Sequence, residues 1–366
     1  MNYKNLLFRS TLLTLLTLCF VACSSDDEVD YGTWTPPLTS TQGAFILNSG
    51  NQGSDNASLA FYDKQKKECN PTVFESMNGG LKLGDTAQDL LVAGDYIFIA
   101  MHGSRLIYVT DMQGKLVKKI VSESEGQAQQ PRSLAKDNNY VYVSYYDGYV
   151  ARIAQKTLEL DINKVKVGRS PEGICVVNNK VYVANSGGAD YNKPIGYDKT
   201  VSVIDIATFK KVRDIDVVLN PTKLEIDRKG NVYVISMGNY GNVPNTLQRI
   251  NPDYSVDSLG NASLMRINPN GDKLYTVYSQ WGAPSIDYKV YDIYEQKYME
   301  GSFVNSDVKF AASPYSLNID PATNEIYIGT SNYRTNAEMY IISTTGALVS
   351  HFNTGGLNPM GAFFIK

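Results

Sequence analysis

The sequence predicts an all-β, seven-bladed β-propeller of four-stranded blades, and three observations predict it. A short apolar strand rich in Tyr and Val recurs seven times, at 44–47, 96–99, 140–143, 180–183, 231–234, 273–276 and 325–328. Its spacing of roughly 40 to 52 residues is the period of propeller blades. A second apolar strand precedes each copy but the first. It opens on proline at Pro131, Pro171, Pro221 and Pro314, and without proline at 88–92 and 263–267. The partner missing for the first copy stands at the other end of the chain, at 359–365, beginning with Pro359. Pairing of the C-terminal strand with the N-terminal strands would close the ring and leave no free sheet edge. A solenoid or a pair of β-sandwiches shares the short strands but does not explain the exchanged terminal strand. Residues 43–366 are therefore expected to form the propeller.

Within each blade the strands are named A to D from the central channel outward. The A–B turns are short, as at Gly94, Asn178-Asn179, 228–230 and 269–272. The stretch 227–231 (Asp-Arg-Lys-Gly-Asn) lacks the spaced carboxylates of a calcium loop and reads as a turn. The B–C connections at 48–53, 101–104, 145–148, 185–199, 237–242, 279–282 and 331–334 are longer and carry Tyr, Trp, Asn, Gln, Ser and Gly. Alternation places all of them on one face, with the lead-ins to the A strands. The run from 185 to 199 far exceeds the two to five residues a hairpin needs. It reads as the longest member of one rim of recognition loops. Rigid aromatics among adaptable amides and hydroxyls, with little net charge, are the composition of a binding surface.

The ends and the composition narrow the function further. Lys4 and Arg9 precede an apolar run at 12–21, too short to span a bilayer and laid out as a secretory leader. The run closes on Phe20-Val21-Ala22-Cys23 and is followed by Ser24-Ser25-Asp26-Asp27-Glu28. The first stretch resembles the lipobox of bacterial lipoproteins, and the second resembles the acidic export tag of Bacteroidetes surface lipoproteins. The resemblance implies a signal peptide over 1–22, lipid on Cys23, a flexible tether over 23–42, and a location on the outer face of the outer membrane. The net charge of −3 becomes −5 once Lys4 and Arg9 leave. That balance gives no support to nucleic-acid binding, which needs a basic surface. Cys69 and Cys175 are far apart and form no CxxC pair, so Cys175 reads as a buried core thiol.

Catalysis needs a poised acid, base, nucleophile or metal. The chain has two histidines, His102 and His351, and no HExxH or GxSxG motif. His351 falls in an outer strand as surface or packing. Asp85, Asp89, Asp147 and Glu172 could serve a propeller lyase or lactonase, but their spacing specifies no reaction. A non-enzymatic binding protein is the expectation, with no catalytic or metal-binding residues and no required cofactor.

The segment 165–217, with Tyr182-Val183-Ala184-Asn185, resembles the YVTN family of surface propellers. The opening at 43–59, followed by Phe61-Tyr62-Asp63 and Leu83-Gly84-Asp85-Thr86, looks like that of BtuG-type surface lipoproteins. The resemblance covers essentially the whole mature chain. It implies capture of cobalamin (vitamin B12) or a related corrinoid, and transfer to a BtuB-type TonB-dependent outer-membrane transporter. A glycan-binding propeller and a protein-binding adhesin are the alternatives. The candidate ligand-binding residues are Asn51, His102, Arg132, Tyr145, Tyr146, Tyr191, Tyr240, Trp281, Tyr315, Tyr333 and Arg334.

Overall fold

The structure is a computed structural model that describes residues 43–279 and 285–365. The leader, Cys23, the tether and Trp281 lie outside the described residues. Among the described residues the chain forms seven four-stranded antiparallel sheets, the seven blades of a propeller. The blade Pro171–Val177, Lys180–Asn185, Thr200–Asp205, Lys210–Asp216 shows the pattern. Asn178 and Asn179 join its two inner strands with φ of 50° and 55°. That pair of left-handed residues builds the hairpin turn whose twist matches the strands, and Asn tolerates it better than most side chains.

Strand alternation explains the packing. One apolar cluster fills each of the seven gaps between neighbouring sheets; Val141, Val143 and Tyr145 face one gap, while Tyr142 and Val150 face the next. The repeated tyrosine of the B strand is part of this core. Tyr142 is fully buried and donates to Asp137 at 2.8 Å, and Tyr233 donates to Asp227 at 3.0 Å. Asp227 also accepts the backbone N–H groups of Lys229 and Asn231, so 227–231 is a side-chain-stabilised turn. Cys175 is buried and unpaired, and burial raises its thiol pKa. His351 sits on the outer strand Leu348–Asn353, stacked on Tyr340 and 3.1 Å from Glu338.

The ring closes as the sequence predicts. The strand Pro359–Phe364 takes the innermost place in the sheet with Gly43–Asn48, pairing Phe45 with Phe363 and Ile46 with Ala362. Asn318 accepts the Ala362 N–H at 3.0 Å, which ties the closing strand to the preceding blade. Asn358, 3% exposed, donates to the Gly50 carbonyl and the Asn51 side chain, both at 2.9 Å. Two small elements were not legible in the sequence pattern: the helix Val73–Met77, whose Phe74 packs on Tyr108, and the hairpin Glu123–Ser124 with Gln127–Ala128.

Candidate functional site

The B–C loops rise on one face, where backbone hydrogen bonds lace five of them to the lead-in of their own blade's A strand. Ser186 and Gly187 donate to the carbonyls of Ser170 and Arg169, at 3.1 and 2.9 Å. Met237 and Gly238 repeat the contact with Asn220 and Leu219, and Ser49 and Gly50 with Asn358 and Leu357. The second residue of each pair must be glycine. At Gly187, with φ of 65°, a Cβ would lie 2.2 Å from the Asp198 nitrogen. Such lacing sets the rim loops on a rigid base, so a ligand would meet a surface already in place.

The long loop is ordered in its own right. Arg169 donates to Asp190 at 2.7 Å and to the Gly196 carbonyl at 2.9 Å, and Ser170 accepts the Ala189 N–H. Arg169 and Lys193 hold the Asp190 carboxyl below its usual pKa, the Lys193 hydrogen bond being the larger cause. Arg169→Ala should free residues 188–197. Faster amide exchange and proteolysis confined to that loop, with little change in melting temperature, is the expected result.

The rim surrounds a cavity of about 2090 Å³ that continues into the channel between the A strands. Of the residues singled out from sequence, Arg132, Tyr146, Tyr240, Tyr315, Tyr333 and Arg334 line it. Tyr240 is 72% exposed and Tyr333 59%, and both stand on left-handed backbone that turns them out of their loops. Tyr333 meets Tyr315 edge-on at 5.8 Å, and Tyr240 meets Tyr197 at 6.4 Å. Burial raises the Tyr315 hydroxyl to about 12, so it remains a neutral hydrogen-bonding group.

The others stand elsewhere. Tyr145 is 1% exposed, because the last residue of a B strand alternates into the gap between blades while Tyr146 turns toward the cavity. His102 is 6% exposed and lies edge-on to Tyr146 at 5.5 Å, off the cavity wall. Burial, aided by Arg132, lowers its pKa to about 4, so it is a neutral support for Tyr146. Asn51 is a staple, donating to the Tyr333 carbonyl at 3.1 Å and accepting from Asn358. Tyr191 is exposed on the outer part of the long loop, and the second tyrosine of that loop, Tyr197, lines the cavity instead. Tyr197 precedes Asp198, which is pinned by backbone bonds to Ser186 and Asn220. The sequence reading named Tyr191 and missed Tyr197, for which an anchored neighbour was the only signal.

The carboxylates weighed as catalytic candidates are all engaged. Asp85 accepts the Gly53 N–H and the Thr86 hydroxyl, and Asp147 accepts the Gln129 amide. Asp89 accepts the Leu90 and Leu134 N–H groups at 2.9 and 2.8 Å, and burial raises its pKa to about 6. Glu172 receives the Arg132 guanidinium, Nε at 2.7 Å, while Arg132 lies over the Tyr146 ring at 5.0 Å. No group of three or more metal-ligating side chains converges among the described residues. No helix among them is long and apolar enough to cross a membrane.

The fold and the site define a seven-bladed propeller with an aromatic-walled bowl on one face. Residues 42–364 match the family described as "Domain of unknown function (DUF5074)", and the chain belongs to that family. No curated protein sequence matches it. Among solved structures it is similar to a quinonprotein alcohol dehydrogenase-like protein from Bacteroides thetaiotaomicron. The TM-score is 0.62 at 18% identity, over 88% of this chain and 78% of that one. It is also similar to the hydrazine synthase of Kuenenia stuttgartiensis, with a TM-score of 0.55 at 18% identity, over 70% and 76% of the two chains. At such identity the likeness is one of fold.

Proposed function

We propose that the bowl captures cobalamin or a related corrinoid without transforming it and delivers it to a TonB-dependent outer-membrane transporter. The observation that carries this reading is the bowl wall, where five tyrosines, Tyr146, Tyr197, Tyr240, Tyr315 and Tyr333, surround a cavity far larger than a drug-sized pocket. Broad ring faces suit the apolar faces of a corrin, covering them at about 25 cal/mol per Å². Hydroxyls and loop amides suit the rim of amide groups around it. Arg334, exposed and without an ion-pair partner among the described residues, stands where an anionic group of the ligand would pass. Engagement of every candidate carboxylate in structural hydrogen bonds favours binding over catalysis. The BtuG-like opening supports the choice of ligand, and the surface location rests on the lipobox resemblance.

The test is the visible spectrum of protein mixed with cobalamin and passed through a desalting column. Retained corrinoid absorbance is expected. A protein that emerges colourless but binds a plant or host glycan through the same tyrosines overturns the reading. Tyr240→Ala or Tyr333→Ala should weaken binding by about 1–3 kcal/mol, the usual cost of an aromatic anchor. Asn179→Gly, in the opposite-face turn, should leave affinity unchanged. For the location, Cys23→Ala should release the protein from the membrane fraction; a variant that stays membrane-bound refutes lipid attachment at Cys23.

A further inference from the structure

Below the tyrosines the channel wall is charged. Five of the seven A strands contribute charged lumen-facing side chains, among them Asp89 from Ala87–Ala93, Arg132 from Pro131–Lys136, Glu172 from Pro171–Val177, Lys223 and Glu225 from Pro221–Ile226, and Arg266 from Leu264–Ile267. Five of these six have dedicated partners. Arg132 holds Glu172, Arg266 holds Glu225 at 2.9 Å, and Asp89 takes two backbone N–H groups. The Lys223 side chain alone has neither an ion pair nor a hydrogen bond among the described residues. Its side chain is open to the lumen yet surrounded on every side by channel wall. The neighbouring Gly173 makes this placement possible: a Cβ there would lie 2.8 Å from the Thr222 carbonyl and 3.2 Å from the Lys223 Cα, so only glycine lets the two strands come this close.

We propose that Lys223 is the centre of an oxyanion subsite in the channel, taking a phosphodiester or carboxylate group of a ligand whose body rests in the tyrosine bowl. Glu225, Glu172 and Asp89 lie close enough to favour its charged form, but each has a partner of its own and none takes a hydrogen bond from the ammonium, which keeps its donors for an incoming oxygen acceptor. Burial, aided by the Arg266 charge, lowers the Lys223 pKa to about 8, which leaves it mostly protonated at neutral pH while making it the more reactive amine in mild alkali. An oxyanion bound there is neutralised by a charge-assisted hydrogen bond, strengthened by the low-dielectric wall around the ammonium. A lysine can fill this role as a point charge where a bidentate fork has no room.

The subsite extends the proposed corrinoid reading but is tested apart from it. Trace acetylation of all lysines at mildly alkaline pH, read residue by residue by mass spectrometry, reports the accessibility of Lys223. Dimethyl phosphate, and separately acetate, should protect Lys223 and leave the surface residues Lys67 and Lys193 unchanged. Protection by one and not the other distinguishes the phosphodiester from the carboxylate. Lys223→Met should fold normally, since no partner is lost. It should weaken cobalamin binding by about tenfold or more, as for loss of one charge-assisted hydrogen bond, while sparing cobinamide, which lacks the phosphodiester. Lys223→Arg should retain part of the affinity. Labelling of Lys223 that neither anion suppresses overturns the subsite, whether or not corrinoid binds. Protection in a protein that binds no corrinoid supports the subsite and refutes the ligand.

Discussion

Removal of residues 358–366 should abolish cooperative folding of the propeller. The deletion takes away the innermost strand of one blade, with Ala362 and Ile365 buried and Phe363 and Phe364 half-buried against the core. It also removes Asn358, which staples the first rim loop, and the Phe364 ring that meets Tyr327 at 5.1 Å. A fully buried large apolar side chain contributes about 1.5–3 kcal/mol, and a domain's whole margin is about 5–15 kcal/mol. The freed edge of Gly43–Asn48, buried along its length in the intact ring, would then template aggregation. Thermal unfolding followed by circular dichroism is the measurement. A truncated protein with an unchanged melting temperature would mean that this strand does not hold the ring closed.

Arg132→Met should cost about 3 kcal/mol, the low end for breaking a buried ion pair because both side chains keep some exposure. The loss strands Glu172 in the channel wall, where burial already raises its pKa, and takes the cation from above Tyr146. The double variant Arg132→Met with Glu172→Met should recover much of that loss, since no charge is left unpartnered. Urea unfolding of the two variants compares them. A single variant as stable as the parent would show the pair to be a spectator.

The fold was legible because each blade repeats the same physical problem. A B strand such as 140–143 must bury both faces between neighbouring sheets, so it alternates Tyr and Val, and the repeat becomes visible. Closure was legible from arithmetic, one B strand lacking an A strand and one A strand lacking a B strand. The site was only half legible. Tyr145 and Tyr146 are consecutive and chemically alike, and only the strand register sends one to the core and the other to the bowl. Tyr191 and Tyr197 share one loop whose course is set by Arg169, a residue outside it. The ring of channel charges was beyond reach, because Asp89, Glu172 and Arg266 come together only when separate blades assemble.

The places where the ring begins and ends bear on how the protein can be handled. Gly43 begins a B strand and Ile365 follows an A strand, so both stand where that blade's A–B turn would be, on the face away from the tyrosine bowl. Both ends of the ring therefore open on the face opposite the bowl, and a probe or solid support coupled at either end would leave the rim loops clear.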